Sequence, residues 1–563
     1  MKPIPIRLKS FRTWRRVSQA IFLILFLYLA VRAQVPQTFN QTLFDLTSGG
    51  QDLRLSSPVT LFFDLDPLVS LGVILSTWTL KSSLLLSLAV ILLVILLGRF
   101  FCGFVCPFGA LHQLFTQAWQ KRRLSEKSRL NRPGPSQRLK YYLLAFFLLA
   151  ALLGSNQAGL LDPLSFLFRG LTLSIFPAAG YLIGQTGDWF GALTPPYNHL
   201  SRLGPHVFDH VFGYGARAYQ GAFLVGGLFI FILVLNRWRP RFFCRVLCPL
   251  GALMGLFSRY SILHLTKDQN LCTNCGLCRA DCQGASGPHP EERWLRHECH
   301  VCFNCQAGCP EGAIKFKLQP FRAQPHPSPL PARDAPDLAR RAVLASLVGG
   351  AAWVGLGRAA LAAPKRPRPD LIRPPGSLEE AEFLKRCVRC GLCLRVCPTN
   401  VLNPTLAEAG LEGFWTPYLN FQLGYCEYNC TLCSSVCPTG AIHLITGKEK
   451  TETPIRIGSA FFDRGRCLPW SGQGPCLVCE EHCPTSPKAI YLVPQEIVVD
   501  KDKKQNLMVP QVNLSRCVGC GVCAYKCPVM GQPAVYVTSV GETRSTTNRI
   551  LLPEKPKAGR TGS

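Results

Sequence analysis

Six short stretches of this 563-residue chain each carry four cysteines, and twenty-four closely set thiols fold only if something ties them together. LCTNCGLCRADC holds Cys272, Cys275, Cys278 and Cys282, and ECHVCFNCQAGCP holds Cys299, Cys302, Cys305 and Cys309. CVRCGLCLRVCP supplies Cys387, Cys390, Cys393 and Cys397, and CEYNCTLCSSVCP supplies Cys426, Cys430, Cys433 and Cys437. A stretched run has Cys467, eight intervening residues, then Cys476, Cys479 and Cys483; CVGCGVCAYKCP closes the set with Cys517, Cys520, Cys523 and Cys527. In the bacterial ferredoxin pattern three neighbouring thiolates hold one cubane and the fourth reaches across to the next. The first two runs therefore predict one 4Fe-4S cluster on Cys272, Cys275, Cys278 and Cys309, and another on Cys299, Cys302, Cys305 and Cys282. Two interlocked runs of this kind argue against zinc. Gln283 stands where the pattern usually has proline. The other sixteen cysteines predict four more clusters, six in all; spacing leaves open whether these runs pair as neighbours or the outer two enclose the inner two.

The remaining four of the 28 cysteines lie in a repeated phrase. RFFCGFVCPFGAL at 99–111 returns as RFFCRVLCPLGAL at 241–253, and LDPL occurs at both 65–68 and 161–164. Cys102 with Cys106, and Cys244 with Cys248, are spaced one helical turn apart, so each pair should face one way before its proline ends the helix. Four soft thiolates could form a further redox or metal site, or cycle as disulfides; small cysteines packed near a helix end are the plainer reading.

Apolar runs at 17–31, 82–98, 141–161 and 218–236 predict four membrane spans in two related halves. MKPIPIRLKSFRTWRR before the first run, and QKRRLSEKSRLNRPGPSQRLK between the second and third, are rich in Lys and Arg. By the positive-inside rule both belong in the cytoplasm, which puts the repeated phrases and the first ferredoxin domain there too. The formal net charge of +28 is concentrated in residues 1–365, where it flanks the apolar runs, so it predicts membrane orientation and no nucleic-acid partner.

After a Pro-rich linker comes ARRAVLASLVGGAAWVGLGRAALAAP, two arginines (Arg340 and Arg341) ahead of a weakly apolar stretch and small residues. It reads as a twin-arginine export signal placed internally, or as an ordinary fifth span; Lys365, Arg366, Arg368 and Arg373 just beyond it oppose an outward C-terminus. The expected organisation is a membrane domain at 1–258, a two-cluster ferredoxin domain at 259–318, linkers and the signal-like span at 319–376, a four-cluster polyferredoxin domain at 377–540 and a tail at 541–563. The fold class is mixed: an α-helical membrane domain of four spans plus a signal-like fifth, with ferredoxin-like α+β domains. Apolar stretches such as AIHLI and AIYLV are expected to be the strands.

These motifs carry a resemblance. The first 320 residues resemble the NapH/MauN ferredoxin-type membrane proteins, and residues 338–530 resemble the NapG/MauM four-cluster proteins that carry a twin-arginine signal. The resemblance implies a fusion in the bacterial inner membrane that oxidises quinol and passes electrons to a periplasmic reductase or cytochrome acceptor, with the C-terminal polyferredoxin in the periplasm. It brings over the cluster cysteines and the paired thiols, and no quinone-site residue. The chain has no Cys-x-x-Cys-His, no Walker loop and no strand-flanked Gly-x-Gly-x-x-Gly, so no haem c or nucleotide chemistry is expected. His112, His199, His206 and His210 are unpaired on the spans and read as loop or interface residues. Two other classes compete: an electron relay without its own quinol site, and a metal-handling or assembly factor for a respiratory oxidase, for which the last four clusters would be superfluous.

Overall fold

Glycine and the Asp-Pro pairs, more than apolar content, set the lengths of the helices. The computed structural model describes residues 6–34, 54–55, 57–79, 81–119, 122–193, 217–318, 336–362, 369–452, 454–500 and 503–548. Helix α1 spans Ile6–Arg32, α2 Pro67–Thr77, α3 Leu86–Leu97, α4 Pro107–Trp119, α5 Leu139–Leu152, α6 Pro163–Gly170, α7 Phe176–Leu193, α8 Ala222–Val234, α9 Pro249–Ser258 and α10 Arg340–Ala362. Gly98 stops α3 and Gly154 lies just past α5, both at positive φ that a side chain would resist. Asp66 and Asp162 cap α2 and α6, each with proline in the first turn.

The described residues do not confirm the expected four spans. Among the described residues two helical stretches are long and apolar enough to cross a membrane, Phe11–Arg32 and Pro163–Ile183. The runs at 82–98, 141–161 and 218–236 give shorter helices, and the second long stretch lies where no span was expected. It forms because Pro163 restarts the helix and a wide turn at Leu171–Ile175 joins α6 to α7.

Helices α1, α3, α5, α8 and α10 run between two cysteine-rich units. At its start α1 rests Phe11 on Phe303 (5.5 Å between centroids), and near its end Phe26 packs on Phe62 and Phe168. Ahead of α3, Lys81 donates to the Pro438 carbonyl (2.9 Å), while its last turn receives Ile262 N–H at Leu96 (3.1 Å). Helix α5 begins with Lys140 on Glu298, and just past its end Gly154 lies against Lys385. Helix α10 lies along α5, from Ala339 N–H on Tyr142 Oη (3.1 Å) to Arg358 on the Leu153 carbonyl (2.7 Å). The first unit thus sits at one end of the helices and the C-terminal unit at the other.

Two glycines mark how closely these units dock. A Cβ at Gly103 would lie 2.3 Å from the His300 carbonyl, and one at Gly159 would lie 1.8 Å from that of Val388. The first unit pairs β1 (Leu263–Lys267) with β2 (Ile314–Leu318), antiparallel. In the C-terminal unit β3 (Leu402–Pro404) pairs with β4 (Pro417–Leu419), β5 (Ser459–Phe462) with β8 (Val535–Thr538), and β6 (Ile490–Asp500) with β7 (Lys503–Val512), all antiparallel. AIYLV enters β6 as expected; AIHLI forms only a bridge from Ile442 to Ser377, with Leu378 N–H donating to the Ala441 carbonyl (3.2 Å) and His443 N–H to that of Gly376 (2.7 Å), a pairing too short to make a strand.

The start of the C-terminal unit is held by charge. Arg373 meets Glu380 at 2.5 Å and Arg544 meets it at 2.9 Å. Burial opposes ionisation of Glu380, but the two guanidinium groups hold its carboxyl at about 2. That lies below the unfolded value of about 4.3, so the contribution is present at neutral pH and is lost as pH falls from about 4 toward 2. Glu380→Gln should lower stability at pH 7 by about 1–3 kcal/mol, discounted for partial exposure, and much less near pH 2. Thermal unfolding of the C-terminal unit across this pH range checks the expectation.

Candidate iron-sulfur centres and the paired-thiol site

Three of the four-cysteine groups close around a cavity instead of a point. Cys272, Cys275, Cys278 and Cys309 line one cavity, beside His289 and Ile314. Cys387, Cys390, Cys393 and Cys437 line a second with Trp415, and Cys467, Cys476, Cys479 and Cys527 a third. The other twelve complete the crossover: Cys282 lies with Cys299, Cys302 and Cys305; Cys397 with Cys426, Cys430 and Cys433; Cys483 with Cys517, Cys520 and Cys523. The last four runs therefore associate as neighbours, the third with the fourth and the first with the second, which spacing had left open.

The chemistry of this donor set fits a polynuclear cluster. Among the described residues no three His, Cys, Asp or Glu side chains converge as ligands of one metal ion. Four thiols spread around a cavity suit a cubane, each iron taking one thiolate. Backbone N–H groups of Ser286, Ile442 and Ala534 point at Cys282, Cys437 and Cys527 Sγ (3.4 Å each), the kind of hydrogen bond that tunes such a centre.

The quartets of the C-terminal unit form a row. That of Cys387 lies against the helical unit through Val388 and Gly159, and shares its two runs with that of Cys426. Cys426 N–H in turn donates to the Cys520 carbonyl (2.8 Å), and Cys523 lies beside Cys479 of the outermost quartet. A buried cation accompanies the second quartet: Lys450 Nζ donates to the Glu427 (2.7 Å) and Cys430 (2.6 Å) carbonyls and lies 3.6 Å from Cys426 Sγ. Burial disfavours that charge, but Cys426, Cys430 and Cys433 outweigh it and raise its pKa. The motifs gave no hint of Lys450, since it comes thirteen residues after Cys437 on a separate short helix.

The repeated phrases bring Cys102, Cys106, Cys244 and Cys248 into one neighbourhood. The expected α-turn is instead a wider one, closed by Cys106 N–H to the Phe101 carbonyl and Cys248 N–H to that of Phe243 (2.9 Å each). Pro107 and Pro249 begin α4 and α9, and do not simply end a helix, because proline is suited to a first turn. Cys106 and Cys248 Sγ accept from Gly109 (3.4 Å) and Gly251 (3.1 Å) N–H, and Cys102 Sγ lies 3.6 Å from Met254 Sδ.

The first arginine of each phrase crosses to the other copy. Arg241 donates to the Gly109 carbonyl (2.7 Å) and meets His300 Nδ1 (3.1 Å); Arg99 packs against Gly251 and pairs with Glu298 (3.3 Å), which also binds Lys140. Glu298 and His300 flank Cys299, so these arginines tie the thiol site to a cluster quartet. Burial would raise the Glu298 carboxyl, but Lys140 and Arg99 hold it below the ordinary range. Burial and the surrounding Arg99, Arg241, Lys140 and Arg245 push His300 well down, leaving a neutral ring whose Nδ1 accepts from Arg241. His112, expected in a loop or interface, is a core residue stacked on Phe243 with Nδ1 2.9 Å from Asn236 Oδ1; His199, His206 and His210 lie outside the described residues.

Fold and site together define a ferredoxin-type iron-sulfur protein with several 4Fe-4S domains. Family matches agree: "4Fe-4S binding domain" at 79–125, 219–267 and 510–530, and "4Fe-4S dicluster domain" at 386–441. The chain is 37% identical over 170 residues to the methylamine utilization ferredoxin-type protein MauM of Methylorubrum extorquens, covering 30% of this chain and 71% of that protein. It is 35% identical over 212 residues to MauM of Paracoccus denitrificans, and 33% identical over 207 residues to the ferredoxin-type protein NapG of Escherichia coli; each alignment covers 36% of this chain and 86% of the relative. The chain belongs to the MauM and NapG ferredoxin-type proteins. No solved structure matches it.

Two changes test the charges. Glu298→Gln leaves Arg99 and Lys140 buried without their counter-charge, which should cost about 3–5 kcal/mol and expose residues 259–318 to limited proteolysis. Lys450→Met should lower the potential of one centre by roughly tens of millivolts, by removing positive charge beside its thiolates, in an EPR-monitored redox titration.

Proposed function

We propose that this chain is a membrane-embedded electron carrier that oxidises quinol and delivers electrons along the C-terminal quartets to a periplasmic reductase or cytochrome. The observation that carries the reading is the placement of two cysteine-rich units at opposite ends of one helical unit, with four quartets leading away from its C-terminal side. On this reading the chain holds six 4Fe-4S clusters, on the quartets described above. When bound, each cluster supplies a one-electron relay. The surrounding chain holds the thiolates, buries them and sets their electrostatic surroundings.

Membrane attachment is supported by the outward surface of the helices. Leu88, Leu92 and Leu93 of α3, Phe223, Ile230 and Phe231 of α8, Ile21 and Ile24 of α1, and Leu344, Val348 and Leu356 of α10 are all exposed. So much exposed apolar surface on several helices is a liability in water and suits lipid. The basic 122–140 segment lies with the first ferredoxin unit, through Asn131 on the Ala280 carbonyl (2.7 Å) and Arg245 on Asn131 (2.7 Å). The positive-inside rule then favours a cytoplasmic first unit and a periplasmic C-terminal unit, with α10 as the former export signal and the chain as a NapH/MauN-like part fused to a NapG/MauM-like part.

Anaerobically purified protein should contain about twenty-four irons and as many acid-labile sulfides, four of each per cluster; about eight, with zinc, would defeat the six-cluster assignment. Protease added to intact spheroplasts should remove a tag placed after Ser563 and spare one in the 121–140 loop. A protected C-terminal tag would put the C-terminal unit in the cytoplasm and remove the periplasmic partner. Hydroquinone should reduce the purified protein; if only a protein donor does so, the relay reading takes its place.

A further inference from the structure

We propose that Asp66 and Asp162 are the proton-accepting pair of the hydroquinone-oxidising site, set in the helical unit beside its contact with the Cys387, Cys390, Cys393 and Cys437 quartet. The inference rests on the quinol reading above and gives that reaction a location.

The two residues come from the repeated LDPL. Both side chains are completely buried. Each uses one oxygen as a helix cap: Asp66 Oδ1 accepts from Leu68 N–H (2.8 Å) and Asp162 Oδ2 from Ser165 N–H (2.7 Å). The two carboxyl groups are close enough to act on one another electrostatically. Two carboxylates so close in a buried interior do not both ionise, so the pair holds a proton. Capping accounts for one oxygen on each residue, and Asp66 Oδ2 and Asp162 Oδ1 have no further partner.

The surroundings are polar beyond what capping requires. Asn156, whose side chain lies against α2 at Gly72, is completely buried with neither amide atom paired, and Nε of Arg169, a charged neighbour of Asp162, is likewise buried without a partner. Interiors seldom leave so many polar atoms unsatisfied unless water or a ligand uses them. Phe62, Phe63 and Phe168, packed on α1 and on one another, supply apolar aromatic surface next to the pair. An aromatic ring bearing hydroxyl groups matches that combination.

The link to the quartet is short. Gly159, three residues before Asp162, is the glycine pressed on Val388. Arg169, electrostatically coupled to Asp162, donates to the Arg389 carbonyl (2.9 Å) and stacks over Trp415 (4.2 Å); Arg389 and Trp415 both line the quartet's cavity. Oxidation of a hydroquinone to its quinone breaks two O–H bonds and releases two protons and two electrons. A pair already sharing one proton has room for one more. Each half of the reaction therefore sends one proton to the Asp66 and Asp162 pair and one electron to the centre that the Cys387 quartet would hold; before the second half the pair gives that proton to water and the electron moves on toward the Cys426 quartet.

Stopped-flow reduction of the full-length, cluster-loaded protein by menadiol tests this. Asn caps helices as well as Asp but takes up no proton, so Asp66→Asn and Asp162→Asn should keep their iron and their reduction by dithionite, yet slow menadiol reduction about 100-fold. Wild-type rates in either variant would overturn the assignment and leave the quinol reading standing; a wild-type protein that menadiol does not reduce would overturn both. An independent measurement covers variants that lose iron: a hydrophobic carbodiimide should modify Asp66 or Asp162 in the wild type, with loss of menadiol reduction and protection by menadiol. Full activity after modification, or loss of activity with both aspartates unmodified, would refute the pair.

Discussion

Arg99 and Arg241 hold the architecture together. They occupy equivalent places in the repeated phrase, and each reaches across to the other copy before touching Glu298 or His300 of the first ferredoxin unit. Such buried charges are costly alone, so the helices, the thiol site and the cluster loop must be in place together for any of the three to be satisfied. Glu298 is the counter-charge that makes this tolerable, with Lys140 as the third member. Because Glu298 and His300 sit on either side of Cys299, the same contacts fix a cluster quartet against the four thiols of the repeat.

The opposite end uses a different device. Backbone meets backbone there: Gly159 lies on Val388, Arg389 donates to the Asn156 and Glu412 carbonyls, and Arg169 donates to the Arg389 carbonyl. Arginine suits such places because its planar fork satisfies several carbonyls at once. The first quartet of the row is thereby held close to the interior of the helical unit, and the outermost lies farthest along the row. Between the two ends the interior is filled by Phe108, Phe166, Phe229 and Phe243, with ring centroids 4.8–6.1 Å apart. Phe166 also lies 5.8 Å from the Arg169 guanidinium, which stacks on Trp415, so close packing continues from beside Cys244 to the wall of a cluster cavity.

Much of the cluster chemistry was legible before any fold was known, since cubane ligation places its cysteines within a few residues of each other. LDPL is legible in the sequence as a mark of duplication, whereas the capping of α2 and α6 by its aspartates comes from the structure. Helix lengths are not legible from the apolar runs, because hydropathy averages over Gly98 and Gly154, whose backbone conformations end helices irrespective of apolar content. The pairs of the repeat were read as an α-turn because spacing four apart does not distinguish that from the wider turn observed.

The sequence by itself determined which residues can ligate clusters, that the helical part is duplicated, and where its charge is concentrated, because each of these is a property of neighbouring residues. The tertiary structure alone decided that the C-terminal runs associate as neighbours, that Lys450 lies beside one quartet, that Asp66 meets Asp162, and that the two cysteine-rich units sit at opposite ends of the helices. These depend on contacts between segments tens to hundreds of residues apart. Their partners are chosen by packing, burial and charge compensation, which local spacing does not encode.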